Sequence, residues 1–327
     1  MAETINISKM AEKVSDEIFS VFKWRKSNGP TNANWDCKVK EHGNKTHPTD
    51  LVMYYDEPYA NGKTYVQFDL KSFGKKSIKF EKVNIAMEAL AKSLRCIELS
   101  LEWQKRYVNT DGNYGSVGLL FVYNHDTEYE GNFDEMVGKV LQKDLDIPSN
   151  SRIFVIGPRS VLQLHDIATD IKLMRADGNL PKHEDVWFFY PGLSRKVNLN
   201  PTSRDQAATL EMLVGPWITL RYENSINPKD RGILIYYRER ANSKEEFLYL
   251  LDYMQHYQMF TLGGNITIKF TEYGPTTFSM FQNAIDHYVR ERGGDKHLEQ
   301  CLKSIQVSEV NRRLVRFSEE NIGMEAR

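Results

Sequence analysis

The sequence predicts an α/β chain. A mixed sheet flanked by helices covers residues 1–180, a loosely patterned linker covers 181–206, and a second α+β domain covers 207–327. Three observations carry this reading. Residues 80–107, FEKVNIAMEALAKSLRCIELSLEWQKRY, are periodic and free of Gly and Pro, which predicts a long helix. VGLLFVYN (117–124) and RIFVIG (152–157) are short apolar runs of the kind that form buried strands. LVMYY (51–55) and TYVQFDLKSF (64–73) flank the turn-rich DEPYANGK, whose Asn61-Gly62 favours a hairpin.

The remaining elements follow in order. Residues 5–24 read as a helix, with Met10, Val14, Ile18 and Val21 at helical spacing, stopped by Gly29-Pro30 and TNAN. A short strand is expected at Trp35–Glu41, before the hairpin. An amphipathic helix starts near Phe133, between the two buried strands. Another covers Ser160–Arg175, with Leu162, Ile167, Ile171 and Met174 inward. Such alternation predicts a sheet covered by helices. WFFY (187–190) reads as a last strand against the first domain. In the second domain TLEMLVGPWITLRYE (209–223) reads as a strand broken at Gly215-Pro216. GILIYYRE (232–239) and NITIKFTE (265–272) read as strands, and residues 243–260 and 276–291 as helices. A short helical segment and a basic cluster, Arg312, Arg313 and Arg316, close the chain.

Composition narrows the class. With 17 Tyr and 16 Phe among 327 residues the chain is globular rather than disordered. Its 43 Lys and Arg balance 44 Asp and Glu, which argues against a tail that coats nucleic acid but leaves room for a local basic cleft. The charge is uneven. Residues 1–110 hold 18 basic and 14 acidic side chains, whereas residues 111–180 hold 6 and 11. Cys37, Cys96 and Cys301 are few and scattered, so no disulfide framework is expected. No leader opens the chain and no run reaches the ~20 apolar residues of a membrane span. A cytoplasmic setting away from membranes is expected.

The hairpin carries the chemistry. Asp50 and Asp69 lie equally far from a centre between Tyr59 and Ala60. In that antiparallel register Asp50 faces Asp69, Val52 faces Gln67 and Tyr54 faces Tyr65, with Cβ atoms about 5 Å apart. Two carboxylates so placed repel unless a cation sits between them. Alternation puts Gln67, Asp69 and Lys71 on one face, expected to open onto a cleft, and Val66, Phe68 and Leu70 on the core face. Mg²⁺, or Mn²⁺ in its place, takes such oxygen ligands together with phosphate and water. A lysine two residues beyond one ligand is placed to hold the water or stabilise charge. Glu17 lies on or beside the buried stripe of the first helix, among Val14, Ile18 and Val21, and is a candidate third acid.

Pro48-Thr49-Asp50, then Asp69-Leu70-Lys71, set between a first helix and a long second one, resembles the PD-(D/E)xK nuclease superfamily over residues 5–125. One residue separates the proline from the first aspartate. The resemblance implies a restriction-endonuclease-like fold and Mg²⁺-dependent hydrolysis of DNA. It also implies Asp50 and Asp69 as metal ligands, Lys71 acting on the water, and Glu17 as the acid some members supply from their first helix. Superfamily members with an extra domain resemble subunits of bacterial defence systems. The competing expectation is a nuclease-like fold that no longer cuts and serves as a nucleic-acid- or protein-binding subunit.

Further candidates surround the motif. Lys75, Lys76, Lys79 and Lys82 follow the second hairpin strand and are candidate phosphate contacts. Cys37, His42 and His47 match no structural zinc spacing and lack a fourth ligand. His47 is assigned instead to the mouth of the cleft, as a nucleic-acid contact or a cap for the strand before Asp50. His125, after a buried strand, is expected in a hydrogen-bonded loop. In the second domain Tyr236, Tyr237, Tyr249, Tyr253, Tyr257 and Phe260 are mostly core. Any exposed remainder is a surface for a partner protein or a second copy. Arg238 and Arg240 face phosphates or water.

Overall fold

The computed structural model describes residues 2–59, 62–109, 112–142, 145–190 and 206–311. Within them the chain divides into two compact units between Ala168 and Thr169. Arg312, Arg313 and Arg316 lie outside the described residues.

The first unit begins with α1 (Ala2–Phe19). A tight turn at Ser20–Lys23, where Lys23 adopts a φ of 64°, ends it short of the expected Trp24. Strands β1 (Arg25–Lys26), β4 (Leu51–Asp56), β5 (Lys63–Phe73), β6 (Tyr114–Asn124) and β7 (Ile153–Ile156) form one sheet in the order β1-β4-β5-β6-β7. The first pairs are antiparallel, whereas β5–β6 and β6–β7 are parallel. Parallel strands need crossover connections, and helices supply them. They are α2 (Phe80–Ile97) with α3 (Leu101–Tyr107), and then α4 (Phe133–Leu141). β2 (Ala33–Asp36) and β3 (Thr46–Thr49) make a separate two-stranded arm leading into Asp50. The expected strand at Trp35–Glu41 is therefore β2, shifted toward the N-terminus.

Both faces of the sheet are covered. Phe19 of α1 packs on Phe68 and Phe121 with ring centroids 5.3 and 6.1 Å away, and Trp24 adds a contact to Phe68. On the opposite face Val83, Met87 and Leu90 of α2 cluster with Leu120 and Val122. Alternation along β6 separates these two layers.

The predicted 80–107 helix is two helices. Ser100 is fully buried, and its Oγ accepts a hydrogen bond from the Trp103 backbone N–H at 3.3 Å, capping α3. A serine offered as N-cap competes with continued helix, and here it wins. Gln104 Nε2 donates to the carbonyls of Ile97 and Glu98, satisfying the end of α2.

Helix α5 (Pro158–Ala176) starts on a proline, whose fixed φ suits the first helical position. The second unit holds a five-stranded sheet in the order β12-β11-β10-β9-β8. Its strands are β8 (Val186–Phe188), β9 (Trp217–Glu223), β10 (Arg231–Tyr237), β11 (Asn265–Phe270) and β12 (Gln306–Glu309). Val186–Phe188 thus pairs with β9 rather than with the first sheet, correcting the expectation for WFFY. Residues 209–214, read as strand, form instead the helical turn α6 (Leu210–Val214) under a Thr209 cap. Arg238 is buried, and its guanidinium donates to the carbonyls of Leu213 and Gly215 at the end of this turn, so it faces neither phosphate nor water. Helices α7 (Lys244–His256), α8 (Thr277–Glu291) and α9 (Lys296–Lys303) complete the unit. Tyr236 and Tyr237 are core, whereas Tyr249 is 65% exposed beside Trp217. No described helix is long and apolar enough to cross a membrane.

Candidate active site

The hairpin register is the one the sequence predicts. Leu51 pairs with Phe68, Val52 with Gln67 and Tyr54 with Tyr65, so Asp50 enters the ladder where Asp69 stands opposite. The Leu70 backbone N–H donates to Asp50 Oδ2 at 2.7 Å, which turns the carboxylate across the strand boundary toward β5. Asp69 and Lys71 lie two apart on β5 and are joined by an ion pair. Their side chains remain 16% and 32% exposed, so the pair keeps access to solvent, whereas Tyr65–Phe68 earlier on the strand are buried.

Burial pushes the Asp50 carboxyl up from its ordinary 3.8 to about 6, and the nearby charge of Asp69 adds to the shift. The Leu70 N–H and the Lys71 charge pull the other way without cancelling it. The sheet therefore presses two carboxylates together in a poorly hydrated place, an arrangement a divalent cation relieves. Two oxygen donors with an adjacent solvent opening fit a hard ion that keeps water and phosphate in its remaining positions.

The approach to Asp50 is held from beneath by buried polar groups. Trp35 Nε1 donates to Thr49 Oγ1 at 2.9 Å, and Gln67 Nε2 donates to the same oxygen at 2.9 Å and to the Pro48 carbonyl at 3.1 Å. Trp103 Nε1 donates to Gln67 Oε1 at 3.0 Å. Gln67 is 1% exposed, so it does not open onto a cleft as its face on β5 suggests. It locks Pro48-Thr49 and thereby sets where Asp50 begins. The sequence signal available was a glutamine alternating with Asp69 and Lys71 among the apolar Tyr65, Val66, Phe68 and Leu70.

Glu17 is not brought to this cluster. It sits on α1, half-exposed, 3.9 Å from Lys13. α1 covers the Phe68 and Phe121 face, whereas alternation sends Asp69 and Lys71 out of the other. Among the described residues the charges that act on Asp50 are Asp69 and Lys71. His47 is 1% exposed, ring to ring with Trp35 and His42, and is not a surface contact for nucleic acid. Lys75, Lys76 and Lys79 are exposed in the turn between β5 and α2. That turn is pinned by Asp126, which accepts from the Lys75 backbone N–H at 2.7 Å. His125 contacts Ser72 at 3.2 Å in the same loop, consistent with a hydrogen-bonded role.

Comparison with known proteins adds to this geometry. No curated protein matches the chain. A solved crystal structure, the central domain of yeast acetyl-CoA carboxylase, matches with 8% identity over 74% of this chain and 34% of its own, at a TM-score of 0.20. The chain spans about a third of that structure, and a likeness this weak carries no argument. Residues 1–160 match the family described as "GAPS4 protein PD-(D/E)XK nuclease domain". The matched span covers the α1-to-β7 sheet, the Asp50/Asp69/Lys71 cluster and the start of α5. Over residues 1–160, just under half of its length, this chain is similar to the PD-(D/E)xK nucleases.

Proposed function

We propose that this protein is a divalent-metal-dependent nuclease that hydrolyses phosphodiester bonds in DNA, with Mg²⁺ as the resident ion. The observation that supports the reading is the convergence of Asp50 and Asp69 at the open end of the β4–β5 hairpin, away from its turn, with Lys71 paired to Asp69. Asp50 and Asp69 would hold the metal through carboxylate oxygens. When bound, the ion offsets charge on the scissile phosphate and acidifies a water. Lys71 brings its ammonium to the edge of the same site, where it orients a water or stabilises charge building on the phosphate. Gln67, Thr49 and Trp35 keep the Asp50 backbone fixed while this happens. Lys75, Lys76 and Lys79 extend positive charge from the end of β5 and position the phosphate backbone without reading its sequence. A place in a defence or DNA-processing assembly, implied by the resemblance, belongs to the same proposal.

Cleavage of supercoiled plasmid with Mg²⁺ or Mn²⁺ tests the reading. Asp69→Asn and Lys71→Met are expected to lower the rate by at least ~100-fold in protein that remains folded. Equal cleavage by either variant would refute the assignment.

A further inference from the structure

The sequence offers three scattered metal-type ligands, and the fold delivers a fourth. Cys37 follows β2, His42 ends the short turn Lys40–His42, His47 stands in β3, and Cys96 lies in the last turn of α2. Their ligand atoms all fall within 4.8 Å of one another. Cys37 Sγ and Cys96 Sγ are 3.6 Å apart, and His42 Nδ1 lies 3.5 Å from the first and 3.4 Å from the second. A disulfide needs about 2 Å between sulfurs. A tetrahedral zinc with Zn–S of about 2.3 Å and Zn–N of about 2.0–2.1 Å sets edges of about 3.8 Å for S···S and about 3.5 Å for S···N. The three separations sit close to those edges.

Three of the four residues are buried, and His47 Nε2 is a buried atom with no hydrogen-bond partner among the described residues. An orphaned ring nitrogen beside two thiols and a second imidazole is a cost that a metal removes. The Lys38 backbone N–H also points at Cys96 Sγ, 3.4 Å away, as a donor to a thiolate does. Gly43, at a φ of 67°, closes the turn that carries His42 back toward Cys37.

We propose that Cys37, His42, His47 and Cys96 form a structural zinc site that clamps the β2–β3 arm to the end of α2. Two thiolates and two imidazoles are soft and borderline donors that select zinc over the hard ions suited to Asp50 and Asp69. Four protein ligands close the coordination shell, so the ion is not a catalyst. Its consequence is positional. β3 runs through His47, Pro48 and Thr49 directly into Asp50, so the clamp fixes the strand from which the first carboxylate emerges.

The test uses the full chain, purified after expression in zinc-supplemented medium. Elemental analysis is expected to return about one zinc per chain, and zinc-edge X-ray absorption two sulfur ligands near 2.3 Å. Replacing zinc with Co²⁺ is expected to give the visible bands of a tetrahedral thiolate site. Cys37→Ser combined with Cys96→Ser lowers zinc at least ~10-fold, while Asp50→Asn and Asp69→Asn leave it unchanged. If the cysteine variant does not fold, the wild-type zinc content and absorption edge still decide. Folded wild type with under about a tenth of a zinc per chain, and no cobalt bands, overturns the proposal. So does an absorption edge fitted by oxygen and nitrogen alone. Either result would leave a neutral thiol–imidazole cluster in which Cys37 donates to the Val39 carbonyl. Zinc without DNA cleavage counts against the nuclease reading alone, and cleavage by a zinc-free chain counts against this site alone.

Discussion

Burial and the neighbouring charge of Asp69 act together on Asp50. With a pKa near 6 in the fold and 3.8 in the unfolded chain, the folded state holds the extra proton between those values. Stability therefore falls as pH rises from about 4 to about 6, and the loss persists above that. Asp50→Asn is expected to stabilise the protein in EDTA at pH 7.5 by about 1–2 kcal/mol, the shift being discounted for partial exposure. Added Mg²⁺ should raise the melting temperature of the wild type and not of the variant. Thermal scans with and without metal check both signs, and a variant destabilised in EDTA would contradict the account. Metal affinity is expected to weaken below pH 6, because a proton competes for the same oxygen. Gln67 matters for a different reason. Gln67→Leu strands the Trp103 indole N–H and frees Thr49, at a cost of about 2–3 kcal/mol in stability. Cleavage is expected to fall with it, since Asp50 loses its anchored approach; chemical denaturation and a rate measurement on the same sample check this.

At the scale of elements, the hairpin was legible because its alternation and its turn dipeptide agree, and a one-residue slip would have exposed Phe68 and buried Lys71. The acid pair followed from that register. The break between α2 and α3 was hidden, because an apolar stripe continues through Ser100 and only the cap reveals the end. Glu17 misled for a related reason. Its place on the stripe of α1 was readable, but not the fact that this stripe lies on the far side of the sheet from Asp69. Cys96 was out of reach entirely, since no local spacing ties a helix end to an arm many residues earlier. In the second unit no local pattern signals that Lys269 on β11 reaches Asp170 of α5. Lys269 Nζ donates to both carboxylate oxygens at 2.6 and 2.7 Å, and the Tyr236 hydroxyl donates to the same group at 2.7 Å. Asp170 and Lys269 are 1% and 8% exposed, so Lys269→Met leaves a buried carboxylate without its cation. A loss of about 3–5 kcal/mol is expected in urea unfolding. A loss below about 1 kcal/mol would mean water replaces the lysine.

For the whole molecule, near-neutral total charge conceals a basic N-terminal stretch that contains the site. Replacing Lys75, Lys76 and Lys79 with Ala is expected to weaken DNA binding at low salt. The slope of log affinity against log salt should become shallower by about 2–3, with no change in sequence preference. Filter binding across a salt series measures it, and an unchanged slope would remove these lysines from the interface. The central claim concerns a smaller region: Asp50 and Asp69 share one divalent ion, with Lys71 at its edge. An anomalous difference map from crystals soaked in Mn²⁺ tests this without depending on substrate, activator or partner. A peak within ligand distance, about 2.0–2.3 Å, of both carboxylates is the expected result. A map with no density between them, or with the two side chains turned apart, would contradict the account.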